Sequence, residues 1–169
     1  MSDEKLLYIM VGLPCSGKST YLRNEGVLSD SVLSSDAVVD LAAARLGKTY
    51  NEVFREFVDV ASRICKSNLD FKLKIGQSPL YLDRTNLTRK GRADFIQRAI
   101  KEGYECVCVN FEMPKTDEEF DELRFRNEYR KNFMGKDIPQ NIITNMIETY
   151  EEPSMDENFI DIIKMNTWS

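Results

Sequence analysis

Gly12-Leu13-Pro14-Cys15-Ser16-Gly17-Lys18-Ser19 decides how this chain is read. The octapeptide matches the pattern GxxxxGK[ST] in full. Ahead of it, Leu6-Leu7-Tyr8-Ile9-Met10-Val11 is a short apolar run of the kind expected for a strand buried on both faces. Behind it, a helix is expected from Lys18 to near Gly26. That strand–loop–helix context separates a phosphate-binding loop from a chance glycine-rich turn. Its glycines let backbone N–H groups turn inward around phosphates, and the helix N-terminus adds a favourable dipole. Lys18 is expected to reach the β- and γ-phosphates, and the Ser19 hydroxyl to bind Mg²⁺. The nucleotide-contacting segment is therefore Gly12, Leu13, Pro14, Cys15, Ser16, Gly17, Lys18, Ser19 and Thr20.

Outward from the loop, strand and helix patterns alternate. Ser31–Ser35 reads as a second strand ending at Asp36, and a helix follows to about Arg45, with Gly47 stopping it. From Asn51 to Lys66, Val53, Phe57, Ala61 and Ile64 recur at helical spacing, as do Phe54, Val58 and Cys65. Ser78–Asp83 is a third strand with an acid at its end. Thr88–Glu102 is a helix turning Ala93, Ile96, Ala99 and Ile100 inward, stopped by Gly103. Tyr104–Phe111 is a fourth strand, and Thr116 to about Asn132 a charge-rich helix. Asp137-Ile138-Pro139 opens a helix with the stripe Ile142, Ile143, Met146, Ile147 and Tyr150, and Phe159–Lys164 is a fifth strand. This alternation predicts an α/β fold: a P-loop NTPase three-layer sandwich with a five-stranded parallel sheet and a helical lid. One domain over residues 1–169 is expected, with the lid at about 124–138.

Composition narrows the chemistry. The net charge of −5 argues against a broad, non-specific nucleic-acid surface but leaves room for a local cationic groove. No apolar run reaches the length of a membrane span, and the polar start Met1–Lys5 is unlike a signal peptide, so a cytoplasmic location is expected, in the host if the chain is phage-encoded. The four cysteines include no CxxC pair; Cys106 and Cys108 share one strand face, and buried reduced thiols are expected rather than a zinc site. Histidine is absent, so a general base must be Asp, Glu, Lys, Tyr or Cys.

Ligands of open parallel sheets bind beyond the carboxyl ends of the strands. Asp36 and Asp83 stand at two such ends and are candidates for the base and for the acidic anchor of Mg²⁺; either could also simply cap the local backbone. Arg84, Arg89, Lys90 and Arg92 follow the third strand, and Arg124, Arg126, Arg130 and Lys131 the fourth. Such runs are commonly solvated helix faces. Arg126 and Arg130, however, are four apart on one face, suited to stabilise a transferring phosphoryl group from a lid containing Lys131–Lys136.

Together, Gly12–Thr20, Ser34-Ser35-Asp36, Asp83-Arg84-Thr85-Asn86-Leu87 and Arg126-Asn127-x-x-Arg130 resemble the polynucleotide-kinase/zeta-toxin-like P-loop kinases. Within that family the kinase domain of phage 5′-hydroxyl polynucleotide kinase is the nearest likeness. The resemblance implies transfer of the γ-phosphate of ATP, with Mg²⁺, to a hydroxyl, and a nucleic-acid 5′ end as the acceptor. It implies Asp36 as the base, Lys18 and Ser19 as phosphate and metal groups, and Arg126 and Arg130 as lid arginines, with Arg130 at the catalytic position. It places Arg84, Thr85 and Asn86 at the acceptor side; Asp83, at the strand end before them, is expected toward both acceptor and metal. One departure stands out: three residues after Asp36 the phage enzyme has a phosphate-holding arginine, and here Val39 occupies that position. An apolar side chain cannot replace a bidentate phosphate contact. Either Arg84, Arg45 or another cation supplies it, or the acceptor is a nucleoside, a sugar nucleotide or a hydroxymethylated DNA base. A regulatory nucleotide-binding protein without transferase activity is the reading from another class.

Overall fold

Leu6–Val11 is the central strand, β1, in the computed structural model, which describes residues 4–168. The polar start read at Met1–Asp3 lies outside the described residues. Helix α1 (Lys18–Asn24) follows the loop. Then come β2 (Val32–Leu33), α2 (Ser35–Leu46), α3 (Tyr50–Lys74), β3 (Leu80–Leu82), α4 (Arg89–Lys101), β4 (Glu105–Phe111), α5 (Asp117–Met134), α6 (Gln140–Thr149) and β5 (Phe159–Met165). The five strands form one parallel sheet in the order β2-β3-β1-β4-β5. The neighbours of β1 are thus β3 on one side and β4 on the other. The crevice where ligands bind such sheets opens at its carboxyl end.

Side-chain alternation splits the strands between two cores. Leu7, Ile9 and Val11 face α3 and α4, against Cys65, Leu69, Leu73, Phe95, Ile96 and Ala99, and Cys106 and Cys108 share this face. Met10, Val109 and Phe111 face the other way and pack on Leu22 of α1. A third cluster, Leu13, Leu87, Leu123, Ile143 and Trp168, joins the loop after β1 to α5, α6 and the chain's end. Burying a leucine such as Leu69 or Leu73 contributes about 1.5–3 kcal/mol.

Several boundaries move. β2 keeps only two residues, because Ser29–Ser31 turns as a 3-10 helix before it. Ser34, not Asp36, caps α2: its side chain accepts from the Ala37 N–H, which puts Asp36 inside the first turn. α3 runs to Lys74, past the Lys66 end expected, since Leu69 and Leu73 continue the stripe of Val53, Ala61 and Cys65. The buried face takes Val53 and Ala61 from one expected stripe and Cys65 from the other, while Ile64 of the first and Phe54 of the second are exposed. Ile100 of α4 is also exposed, and Arg92 is buried instead. Thr49, Thr88 and Thr116 cap α3, α4 and α5 through their side chains, with full capping boxes at Glu52 and Glu119.

Candidate active site

The loop from Gly12 to Gly17 is shaped by backbone that few residues tolerate. Gly17 has φ 98° and Cys15 φ 67°. A Cβ on Gly12 would lie 2.8 Å from both the Phe111 Cβ and the Ser16 Oγ, so glycine is required there by space. Gly12 donates its N–H to the Thr85 carbonyl at 3.0 Å, which fastens the loop to the turn after β3. Asn86 fastens it again: its buried amide donates to the Met10 carbonyl at 2.7 Å from a backbone φ of 49°.

Lys18 opens α1 and bends back over the loop, donating to the carbonyls of Gly12 and Leu13 at 2.8 Å each. Burial pushes its ammonium down to about 8, against the opposing pull of Asp83 and Asp36. Ser19 and Thr20, one and two residues further, are exposed at the helix N-terminus, where the dipole favours anions.

Asp36 and Asp83 come together beside Lys18. Asp83 donates its N–H to the Leu33 carbonyl at 2.8 Å, so the ends of β2 and β3 are held at one level. Burial pushes the pKa of its carboxyl above the usual carboxylate value; Lys18 opposes this and Asp36 adds to it. Asp36 Oδ1 accepts a 2.6 Å hydrogen bond from the Tyr50 hydroxyl. Both acids line one cleft of about 1290 Å³ with the loop, Arg84, Thr85, Arg126, Arg130 and Lys136. Asn86 is not among its lining residues; its amide is spent on the fold. The hydroxyl of Ser19 and the carboxylate of Asp83 are hard oxygen donors in that cleft, a set that suits Mg²⁺ shared with phosphate oxygens.

The two paired arginines differ. Arg126 donates from Nε to Glu122 at 2.7 Å, from Nη1 to the Cys15 carbonyl at 3.1 Å and from Nη2 to the Thr167 carbonyl. Its guanidinium lies 4.9 Å from the Trp168 ring centroid. Arg130 touches the loop by one contact, Nη1 to the Cys15 Sγ at 3.4 Å. Thus α5 lies across the phosphate-binding loop, with Arg126 tied down and Arg130 more lightly held. From within α5, Asn127 donates to the Ile138 carbonyl at 3.0 Å, and beyond the helix Lys136 reaches α2.

Of the other basic residues, Arg92 is fully buried and Arg124 pairs with Asp121 on its own helix. Arg84 sits 5.3 Å from the Phe95 ring centroid, and its buried Nη1 has no hydrogen-bond partner among the described residues. Val39 is 1 % exposed, packed between α2 and α3, so no cation from that position reaches the cleft. Arg45 lies in the last turn of α2, about 13 Å along the helix from Asp36. Tyr50, Thr167 and Trp168 escaped the sequence reading. Each meets the site only through contacts distant in the chain, and none carries a local pattern.

Residues 7–153 match the model of a family described as AAA domain, and the chain belongs to that family. No curated protein matches it in sequence. Among solved structures, a candidate kinase from Chloroflexus aurantiacus j-10-fl superposes with a TM-score of 0.69 at 18% identity, covering 99% of this chain and 87% of that one. Chaetomium thermophilum Kti12 in complex with ADP-AlF3 follows with a TM-score of 0.59 at 17% identity, over 95% and 88% of the two chains. A fungal RNA kinase gives 0.53 at 13% identity, over 99% and 77%. The fold is that of the P-loop kinases, a nucleotide-binding architecture. Among the described residues no helix is long and apolar enough to cross a membrane.

Proposed function

We propose that this member of the AAA domain family is a kinase that moves the γ-phosphate of ATP to a hydroxyl, with a nucleic-acid 5′-hydroxyl as the favoured acceptor. The observation that carries this reading is the placement of Asp36 and Asp83 with Lys18 and Arg130 around one cleft. A protein that only bound nucleotide could use Asp83 for Mg²⁺ but would have no use for Asp36 and the paired arginines together.

In this mechanism the loop N–H groups and Lys18 hold the β- and γ-phosphates. Ser19 and Asp83 would hold Mg²⁺, which neutralises phosphate charge. Asp36 takes the proton of the acceptor hydroxyl as its oxygen bonds to the γ-phosphorus. The bond from that phosphorus to the bridging oxygen breaks, and ADP leaves. Arg130 stabilises the charge spread over the transferring group. Arg126 keeps α5 in register over the loop, and residues 124–138 act as the lid of a single kinase domain. Arg84 and Thr85 line the acceptor side, and Asn86 holds their turn in place.

The 5′-hydroxyl polynucleotide kinase likeness and the fold shared with a fungal RNA kinase support a nucleic-acid acceptor. The burial of Val39 favours a second reading, in which the acceptor is a nucleoside, a sugar nucleotide or a hydroxymethylated base. The test offers γ-labelled ATP to 5′-hydroxyl oligonucleotides, nucleosides and sugar nucleotides. Labelled oligonucleotide is the expected result. Transfer to small molecules alone selects the second reading, and ATP binding without transfer to anything would leave a regulatory nucleotide-binding protein.

A further inference from the structure

Tyr50 stands where three elements meet. It is the first residue of α3, held there by the Thr49–Glu52 capping box. Its hydroxyl donates to Asp36 Oδ1 of α2 at 2.6 Å. Its ring lies 5.5 Å from that of Phe54, in a stacked arrangement. Lys136, just beyond the C-cap of α5, places its Nζ 4.8 Å from the centroid of the Tyr50 ring and 2.9 Å from Asp40, one turn after Asp36. The next residue, Asp137, donates its N–H to the Asn51 side chain at 3.4 Å. Two consecutive lid residues therefore rest on the start of α3, and the same tyrosine holds the carboxylate.

We propose that Tyr50 is a positioning residue for Asp36, and that Lys136 seats on it when the lid closes, so that alignment of the base is coupled to closure of the helix bearing Arg130. This rests on the reading of Asp36 as the base. A carboxylate turns easily about its terminal torsion. A donor fixed on Oδ1 leaves Oδ2 to face the acceptor hydroxyl. Burial, then the bond to Asp36, pushes the Tyr50 phenol well above its ordinary range, so it stays protonated and remains a donor. The Lys136 contacts are of the reversible kind: a cation over a ring and an ion pair with a half-exposed partner, Asp40.

Lid position can be read without turnover. Cys15 is partly exposed and is touched by Arg130, whereas Cys65, Cys106 and Cys108 are buried, the last two with thiols pushed up to about 12 by burial. Alkylation by iodoacetamide therefore reports on Cys15. Two variants separate the parts of the proposal, with thermal melts confirming that each is folded. Tyr50→Phe keeps the ring and loses the hydroxyl. It should alkylate at the wild-type rate and lower kcat by about tenfold or more, leaving the KM for ATP unchanged. Lys136→Met should alkylate several-fold faster.

Wild-type kcat in Tyr50→Phe overturns the positioning role, and wild-type alkylation in Lys136→Met overturns the coupling. Asp36→Asn separates this proposal from the reading beneath it. Turnover retained in Asp36→Asn removes the base, and the positioning role with it. An inactive Asp36→Asn beside a fully active Tyr50→Phe removes the positioning role alone. If the wild-type chain labels no acceptor, the kinase reading and the positioning role fall together, and the alkylation rates still decide whether Lys136 holds the lid.

Discussion

Arg92 and Glu157 form a shielded bidentate ion pair: Nε to Oε1 at 2.8 Å and Nη2 to Oε2 at 3.1 Å, with side chains 0 % and 5 % exposed. The remaining Nη1 of Arg92 donates to the Asn86 carbonyl at 2.9 Å. Asn86 in turn holds Met10 at the end of β1. A line of hydrogen bonds thus runs from the turn before β5, through α4, to the strand that presents the phosphate loop. Removing Arg92 leaves the buried Glu157 with only the Ser154 N–H at 2.9 Å and the more distant Arg89 at 3.7 Å to offset its charge. Arg92→Met is expected to lower unfolding free energy by about 3–5 kcal/mol in urea titrations, and Arg92→Met with Glu157→Leu to recover much of it. A single variant as stable as wild type would refute this account.

Gly12 has no room for a methyl group, since its Cβ would meet Phe111 and Ser16 at 2.8 Å. Phe111 is core and cannot withdraw cheaply. Gly12→Ala should destabilise the chain by about 1–3 kcal/mol through overpacking. It should also weaken ATP binding, because the loop must shift. Calorimetric titration and thermal melts read the two effects, and unchanged affinity would show that the cradle tolerates the displacement.

Lys18 makes nucleotide binding depend on pH in a stated direction. Burial lowers its folded value from 10.5 to about 8, and phosphate oxygens favour the charged ammonium. Binding a triphosphate therefore raises that value. Below about 8 the ammonium is already present and affinity is full; as pH rises from 8 toward 10.5, each binding event must first take up a proton. Affinity should fall over that window, with proton uptake visible in calorimetry run in buffers of different ionisation enthalpy. Uptake that is absent at pH 9, or affinity that is flat, would remove Lys18 as the titrating group.

Arg126 and Arg130 should separate under mutation. Arg126 spends Nε, Nη1 and Nη2 on Glu122, Cys15 and Thr167, so Arg126→Ala should lower stability by about 1.5–3 kcal/mol as well as activity. Arg130 makes one weak contact to sulfur, so Arg130→Ala should melt like wild type yet lose turnover by a factor of about 10³. Melting curves and turnover of both variants decide the matter. Equal effects on stability would mean that the two residues are not divided between holding and acting.

Arg92 marks the limit of what charge pattern can say. In the sequence it is one of four basic residues after β3, indistinguishable from Arg89 or Lys90. Its burial depends on Glu157, sixty-five residues away, which no local period reveals. Phe54 and Ile64 show the same limit on α3: two adjacent helical stripes have the right spacing, and only the position of the sheet selects the residues of each that are buried.

The phosphate loop was legible because its function is local. Eight consecutive residues must supply small side chains, inward N–H groups and a lysine, and a buried strand and a helix must flank them, so the motif carries its own context. The order of strands and helices was legible because hydrophobic periodicity is a property of short windows. By itself, then, the sequence determined an α/β nucleotide-binding fold and the place of its phosphate cradle. Tertiary structure alone decided that Arg126 is a tie and Arg130 the lightly held arginine, that Val39 belongs to a helix interface, and that Tyr50 bonds Asp36 while Lys136 rests on its ring. These contacts join residues far apart in the chain, and they exist only once the cores beneath them have packed.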